Sequence, residues 1–236
     1  MEVIAGVHTI EGLGIGRAYL YLEADRLTLI DTGLAGSAGR IWRAIEALGR
    51  RPEDLRQVVV THHHRDHAGA LADVVDRTDA QVLVHALDAP VVRGDAPAPA
   101  PPALPFWLRS RGGQPAKPAR VDRELQDGDE IDLDGGATVV HVPGHTAGSI
   151  ALYLPARRLL FAGDAANSVL GVAPPSGPLG MFNEDASQVR DSFRRLAALD
   201  FEVACFGHGK PLDRDASREF RVYVERRLPP LERSEG

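Results

Sequence analysis

At 236 residues, with 44% hydrophobic and 25% charged side chains, the chain has an ordinary globular balance that excludes disordered and fibrous classes. A net charge of −6 offers no general attraction to nucleic acid or anionic membrane, and no apolar run approaches the roughly 20 residues of a membrane span. The single cysteine, Cys205, excludes an internal disulfide and any thiolate-cluster metal site, so a metal here must be held by nitrogen and oxygen.

The opening MEVIAGVHTI lacks the basic head and long apolar stretch of a signal peptide, so a soluble cytoplasmic protein is expected. VIAGVHTI, AYLYLE and RLTLI read as strands joined by tight turns, the third closed by Asp31-Thr32-Gly33. A helix is expected over 38–48, with Ile41, Ile45 and Leu48 on one face and Gly49 ending it. QVVV at 57–60 is a buried-type strand that runs straight into THHHRDHAG at 61–69. AGALADVVDR then reads as a helix with Leu71, Val74 and Val75 inward, and QVLVH at 81–85 as the next strand. This alternation points to an α/β layer structure.

Residues 89–119, rich in proline and alanine, break the pattern and read as an irregular insertion within a single domain spanning 1–236. Their composition suits a solvated linker, whereas Phe106-Trp107-Leu108 in mid-loop suits a flap over a pocket. EIDL, ATVVHV, SIALYL and RLLFA resume the strands. A second Pro/Gly-rich loop, GVAPPSGPLGMF, leads to a helix starting near Asn183, read as its cap with Glu184 and Asp185 in the first turn. EVACF is a short strand, and a last helix is expected from about Asp215.

Four of the nine histidines fall in the seven residues 61–67. Residues two apart in an extended chain project to one side, so His62 and His64 can converge on one point while His63 faces away. Asp66 and His67 can converge on a second point nearby. Imidazole suits zinc, iron, copper and nickel, and carboxylate suits several of these. A metal site also needs ligands from elsewhere, and three strand ends offer them: His145 in VPGHTAGS, Asp164 in LLFAGDAAN, and His208 in CFGHGKP, where flanking glycines permit close approach.

THHHRDHAG, together with LIDTG, PGHTAGS, FAGD and GHG in the same order, resembles the metallo-β-lactamase superfamily across essentially the whole chain. The resemblance implies an α/β fold of four layers, two mixed β-sheets packed face to face with helices outside (αββα), and a site along one edge. It makes His62, His64 and His145 the ligands of a first metal and Asp66, His67 and His208 those of a second, with Asp164 bridging. Asp31 would orient the site without ligating, and His63, at a variable position of the motif, would be structural or solvent-facing. Two divalent ions are then implied, zinc the expected metal and iron or manganese compatible. They would activate a bridging hydroxide for hydrolysis, with Asp66 holding or shuttling its proton.

Cys205 does not match the cysteine ligand of zinc β-lactamases, whose place resembles Asp164, so the all-His/Asp set looks like the glyoxalase II and lactonase branch of ester and thioester hydrolases. Departures remain: the chain after His208 is short for a glyoxalase II extension, and Ala165, Ala166 and Asn167 stand where many lactonases carry a tyrosine. Phe106, Trp107, Asn167, Met181, Phe182 and Lys210 are candidate substrate contacts. Each has a plainer role open to it, as packing anchor, turn asparagine or solvated loop charge. His85 and His141 are expected to be structural, and His8 carries no functional argument. The expected partner is a small molecule, with neither nucleic acid nor membrane, and the oligomeric state is open. Competing functions are a mononuclear-iron persulfide dioxygenase, a nucleic-acid phosphodiesterase and a binding-only relative.

Overall fold

The structure is a computed structural model and describes residues 1–99, 116–168, 180 and 182–228. Its strands are β1 (Glu2–Ile4), β2 (Val7–Thr9), β3 (Tyr19–Leu22), β4 (Leu27–Ile30), β5 (Leu55–Val60), β6 (Gln81–His85), β7 (Arg123–Leu125), β8 (Glu130–Ile131), β9 (Ala137–His141), β10 (Ile150–Leu154), β11 (Leu159–Phe161) and β12 (Val203–Cys205). The helices are α1 (Ala38–Ala47), α2 (Arg65–Ala68), α3 (Leu71–Val75), α4 (Ala89–Arg93), α5 (Ala186–Ala197) and α6 (Ala216–Arg227).

Because successive side chains on a strand point to opposite faces, the buried residues sort into three clusters that define the layers. Leu27, Leu29, Val58 and Val60 pack with Ile41 and Ile45 of α1 and Val74 of α3. Ile30 and Val59, on the opposite face of the same strands, meet Val139, Leu152 and Phe161 of the other sheet. The far faces of β9, β10 and β11 present Val140, Ala151 and Leu160 to Phe193 and Leu196 of α5 and Phe220 of α6. The result is the expected order of helices, sheet, sheet and helices.

Strands β1 to β7 form one sheet in sequence order, antiparallel from β1 to β4 and parallel from β4 to β7. The second sheet has the order β12-β11-β10-β9-β8, with only β11 and β12 parallel. Both sheets are therefore mixed.

Several elements differ from expectation. VIAGVHTI is two strands, because Gly6 at φ +81 lets the chain reverse and pair Glu2 with His8. The helix expected after the histidine loop is two short ones. Between them, the Ala70 amide donates to Gly33 O rather than continuing a helical ladder, and Gly69 lies too close to Arg65 O and Ala35 N to carry a side chain. Residues 89–93 at the start of the insertion are the helix α4, with Pro90 in its first turn, where a missing amide proton costs nothing. EIDL contributes only the two residues of β8. The alternating polar strand β7, with Leu125 its one fully buried residue, carries too little hydrophobic signal to stand out in the sequence.

Candidate metal centre

The histidine loop leaves β5 between two neighbouring strands, β4 and β6, and each of these is followed by a buried aspartate that grips it. Asp31 follows β4 in a left-handed conformation at φ +58, which costs a non-glycine residue roughly 1–2 kcal/mol. Three hydrogen bonds hold it there: its Oδ1 accepts from the Thr61 amide at 2.8 Å, and its Oδ2 accepts from Thr61 Oγ1 at 2.8 Å and from His67 Nδ1 at 2.8 Å. Thr61 Oγ1, having donated its proton to Asp31, receives His62 Nδ1 at 3.1 Å. One carboxylate thus orients His67 directly and His62 through a hydroxyl, leaving the Nε2 of each ring for the site.

His67 lies in α2, fully buried, and Asp66 beside it is partly exposed. His145 follows β9 in the turn built by Pro143 and Gly144. Its Nδ1 is hydrogen bonded to Asn183 Oδ1 at 2.9 Å, so its Nε2 also faces inward. Asp164 ends the segment after β11, and His208 follows β12. Between His208 and β12, a Cβ on Gly207 would overlap Asp164 Oδ1, so only glycine lets the two strand ends close up. Tyr19 pins the same segment, donating from its hydroxyl to Phe206 O at 2.7 Å.

The inward-facing atoms form three groups, His62/His64/His145, His62/His67/Asp164 and Asp66/His67/His208, each with ligand atoms within 4.8 Å of one another. Within the cluster, His64 Nδ1 is 2.9 Å from His145 Nε2, and His67 Nε2 is 3.4 Å from His208 Nε2. Asp164 touches both sides, its Oδ2 lying 3.3 Å from His145 Nε2 and 3.2 Å from His208 Nε2, and its Oδ1 3.5 Å from His67 Nε2. Asp66 Oδ2 is 3.3 Å from His208 Nε2.

Burial, reinforced by neighbouring imidazoles, pushes His62 and His64 well below the ordinary histidine pKa, and burial lowers His145 as well. Those three rings are neutral, the form that ligates a metal. Burial also acts against charge on His67 and His208, but it is outweighed. Asp164 and Asp31 raise His67 to about 9, and Asp164 and Asp66 raise His208 to about 10. The same contacts, against the effect of burial, hold Asp66 and Asp164 well below the usual carboxylate range.

The donor set fits divalent metal. Buried His62 Nε2 and Asp164 Oδ1 have no hydrogen-bond partner, a costly state for atoms that a cation would satisfy. The cluster is also purely nitrogen and oxygen, as a zinc, iron or manganese site without cysteine requires.

All seven residues read from the sequence as ligands meet here. His63 does not: its ring is buried, with Nδ1 3.0 Å from Asp88 Oδ2, which overturns the solvent-facing alternative. Asn183 corrects a second expectation. The N-cap of α5 is Asp185, whose side chain accepts from the Ser187 and Gln188 amides, and Asn183 instead orients His145. An asparagine just ahead of a helix looks like a cap in sequence; only the fold brings it to a histidine 38 positions away. His85 and His141 stack on each other at 4.2 Å and belong to none of the three groups. Asn167 is buried, Phe182 is exposed, and Lys210 is exposed with its carbonyl accepting from Ser168 Oγ. Phe106, Trp107 and Met181 lie outside the described residues.

Two sheets between helices, with a His/Asp cluster where their strands end, define a metal-binding αββα protein. The chain belongs to the metallo-β-lactamase superfamily, whose family model matches residues 12–208. It is 30% identical to a probable metallo-hydrolase, YflN, of Bacillus subtilis, over 89% of this chain and 86% of that one. To a hydroxyacylglutathione hydrolase of Roseobacter denitrificans it is 31% identical over 81% of this chain, but only 62% of that enzyme is spanned. The crystal structure of a metallo-β-lactamase family protein from Thermus thermophilus superposes with a TM-score of 0.71 at 23% identity, covering 95% of this chain and 80% of that one. Among the described residues, no helix is long and apolar enough to cross a membrane.

Proposed function

We propose that this protein, taken as one domain over 1–236, is a cytoplasmic metal-dependent hydrolase that cleaves an ester, thioester or lactone-type bond of a small molecule. His62, His64 and His145 would hold one divalent ion and Asp66, His67 and His208 a second, with Asp164 between them and zinc the expected metal. The observation that carries this is Asp164, which lies within 3.5 Å of a histidine in each group and has a buried oxygen without a hydrogen-bond partner. When bound, such ions lower the pKa of a shared water and polarise the bond under attack. The chain's own contribution is orientation and proton handling. Asp31, Thr61 and Asn183 fix three imidazole tautomers, and the Asp66 carboxylate, held ionised by His208 and His67, is placed to take a proton from the nucleophile. The relatives named metallo-hydrolase and hydroxyacylglutathione hydrolase favour the same class.

Metal analysis of the purified protein, with a hydrolysis screen over thioesters, lactones, aryl esters, phosphodiesters and β-lactams, tests the proposal. Two metal ions per chain and turnover of an ester, thioester or lactone are expected. One iron per chain with oxygen consumption would replace it with the persulfide dioxygenase alternative.

A further inference from the structure

Asp88 follows β6 and occupies the N-cap position of α4, yet its side chain makes no cap hydrogen bond. The carboxylate turns the other way and is buried at 1% exposure. Its Oδ2 accepts from the His63 amide at 2.8 Å and from Thr146 Oγ1 at 2.8 Å, and its Oδ1 accepts from the Gly148 amide at 2.8 Å. His63 lies between His62 and His64, and Thr146 adjoins His145. A single carboxylate therefore spans the two loops that carry the His62/His64/His145 group, touching none of those rings. Gly148 is part of the arrangement, since a Cβ there would overlap the Asp88 carboxylate. Among the described residues no hydrogen bond joins Asp88 to Asp66, His67 or His208, and His67 is held by Asp31.

We propose that Asp88 is a positioning residue that sets the spacing of the histidine loop and the His145 loop, and so tunes metal affinity in the His62/His64/His145 group alone. The proposal rests on the metal-hydrolase reading above. Its chemistry is that of an acceptor matched to three donors: an asparagine would turn one acceptor oxygen into a donor facing an amide or hydroxyl proton. Those donors are buried, and leaving one unmet shifts the loop it belongs to.

The test is a zinc titration of metal-free protein against a competing chromophoric chelator, with circular dichroism confirming the fold. Wild type is expected to bind two equivalents, and Asp88→Asn to weaken one of them by roughly 10–100-fold. In a His208→Ala background, where the first group remains, Asp88→Asn should weaken the remaining site; in a His64→Ala background it should leave the remaining affinity unchanged. Thr146→Val should reproduce the loss and Thr146→Ser restore wild-type affinity, which keeps the test decisive even where Asp88→Asn does not fold. Equal losses in both backgrounds, or wild-type affinity in folded Asp88→Asn and Thr146→Val, would overturn the proposal while leaving the two-metal reading intact. A wild-type protein that took up no zinc would overturn both.

Discussion

Asp31 and Asp88 make an instructive pair. They follow the two strands that flank β5, both are buried, and both hold the loop between them through a backbone amide, that of Thr61 on one side and His63 on the other. Beyond that amide they diverge. Asp31 goes on to imidazole nitrogens, directly at His67 and through Thr61 at His62, whereas Asp88 goes on to the Thr146 hydroxyl and the Gly148 amide of a different loop. One aspartate aims rings and the other spaces loops. The difference explains why two histidines four positions apart, each beside an aspartate at 2.8–3.0 Å, end so differently. His67 turns its free nitrogen to the cluster, and His63 has neither ring nitrogen hydrogen bonded within the described residues.

The comparison orders the expected effects. Neither aspartate belongs to the three groups, so removing a member of those groups is expected to exceed the effect of either. His62→Ala and Asp164→Ala should each lower kcat/KM by roughly 10³-fold or more, about 4 kcal/mol of transition-state stabilisation, measured on the substrate the screen identifies; near wild-type turnover in either would sink the site. Next comes Asp31→Asn. It should weaken zinc binding by roughly 10–100-fold and, unlike Asp88→Asn, do so in both the His64→Ala and the His208→Ala backgrounds.

A smaller effect is read at Asp88 through pH. Burial raises the Asp88 carboxyl, but His63 and Thr146 outweigh it and hold the group below its ordinary value, with the Glu184 carboxylate a like charge nearby. A lowered carboxylate pKa contributes stability that is present above the unfolded value near 4 and is lost as pH falls through the folded value. In chelator, the melting-temperature gap between wild type and Asp88→Asn should be full at neutral pH and close in acid; a gap independent of pH would show that Asp88 does not act as a carboxylate. The smallest effect on metal belongs to His63→Ala. It keeps the amide that Asp88 holds, so zinc content should stay at the wild-type level while the lost packing costs about 1–3 kcal/mol of stability. Loss of one zinc equivalent, read by metal analysis, would make His63 a ligand and erase the contrast with His67.

How much of this was legible in the sequence follows from the range of each interaction. Two-residue periodicity in β4, β5, β9 and β10 shows which side chains lie on opposite faces, because backbone geometry alone dictates it. The same local rule separates His62 and His64 from His63. Motif order supplied the distant partners at 145, 164 and 208, since each sits at a strand end beside glycine or proline. The roles of Asp88 and Asn183 were not legible. Each stands beside a helix start, where aspartate and asparagine have a local use as caps, and nothing nearby in sequence shows that the side chain turns to a loop 58 or 38 residues away. The sequence by itself determined the layered fold, the family and the candidate ligand types, because strand periodicity, motif order and residue chemistry are all written locally. Only the tertiary structure decided which neighbours orient those ligands, because a buried carboxylate or amide takes its hydrogen-bond partners from whatever donors the packed sheets bring within about 3 Å.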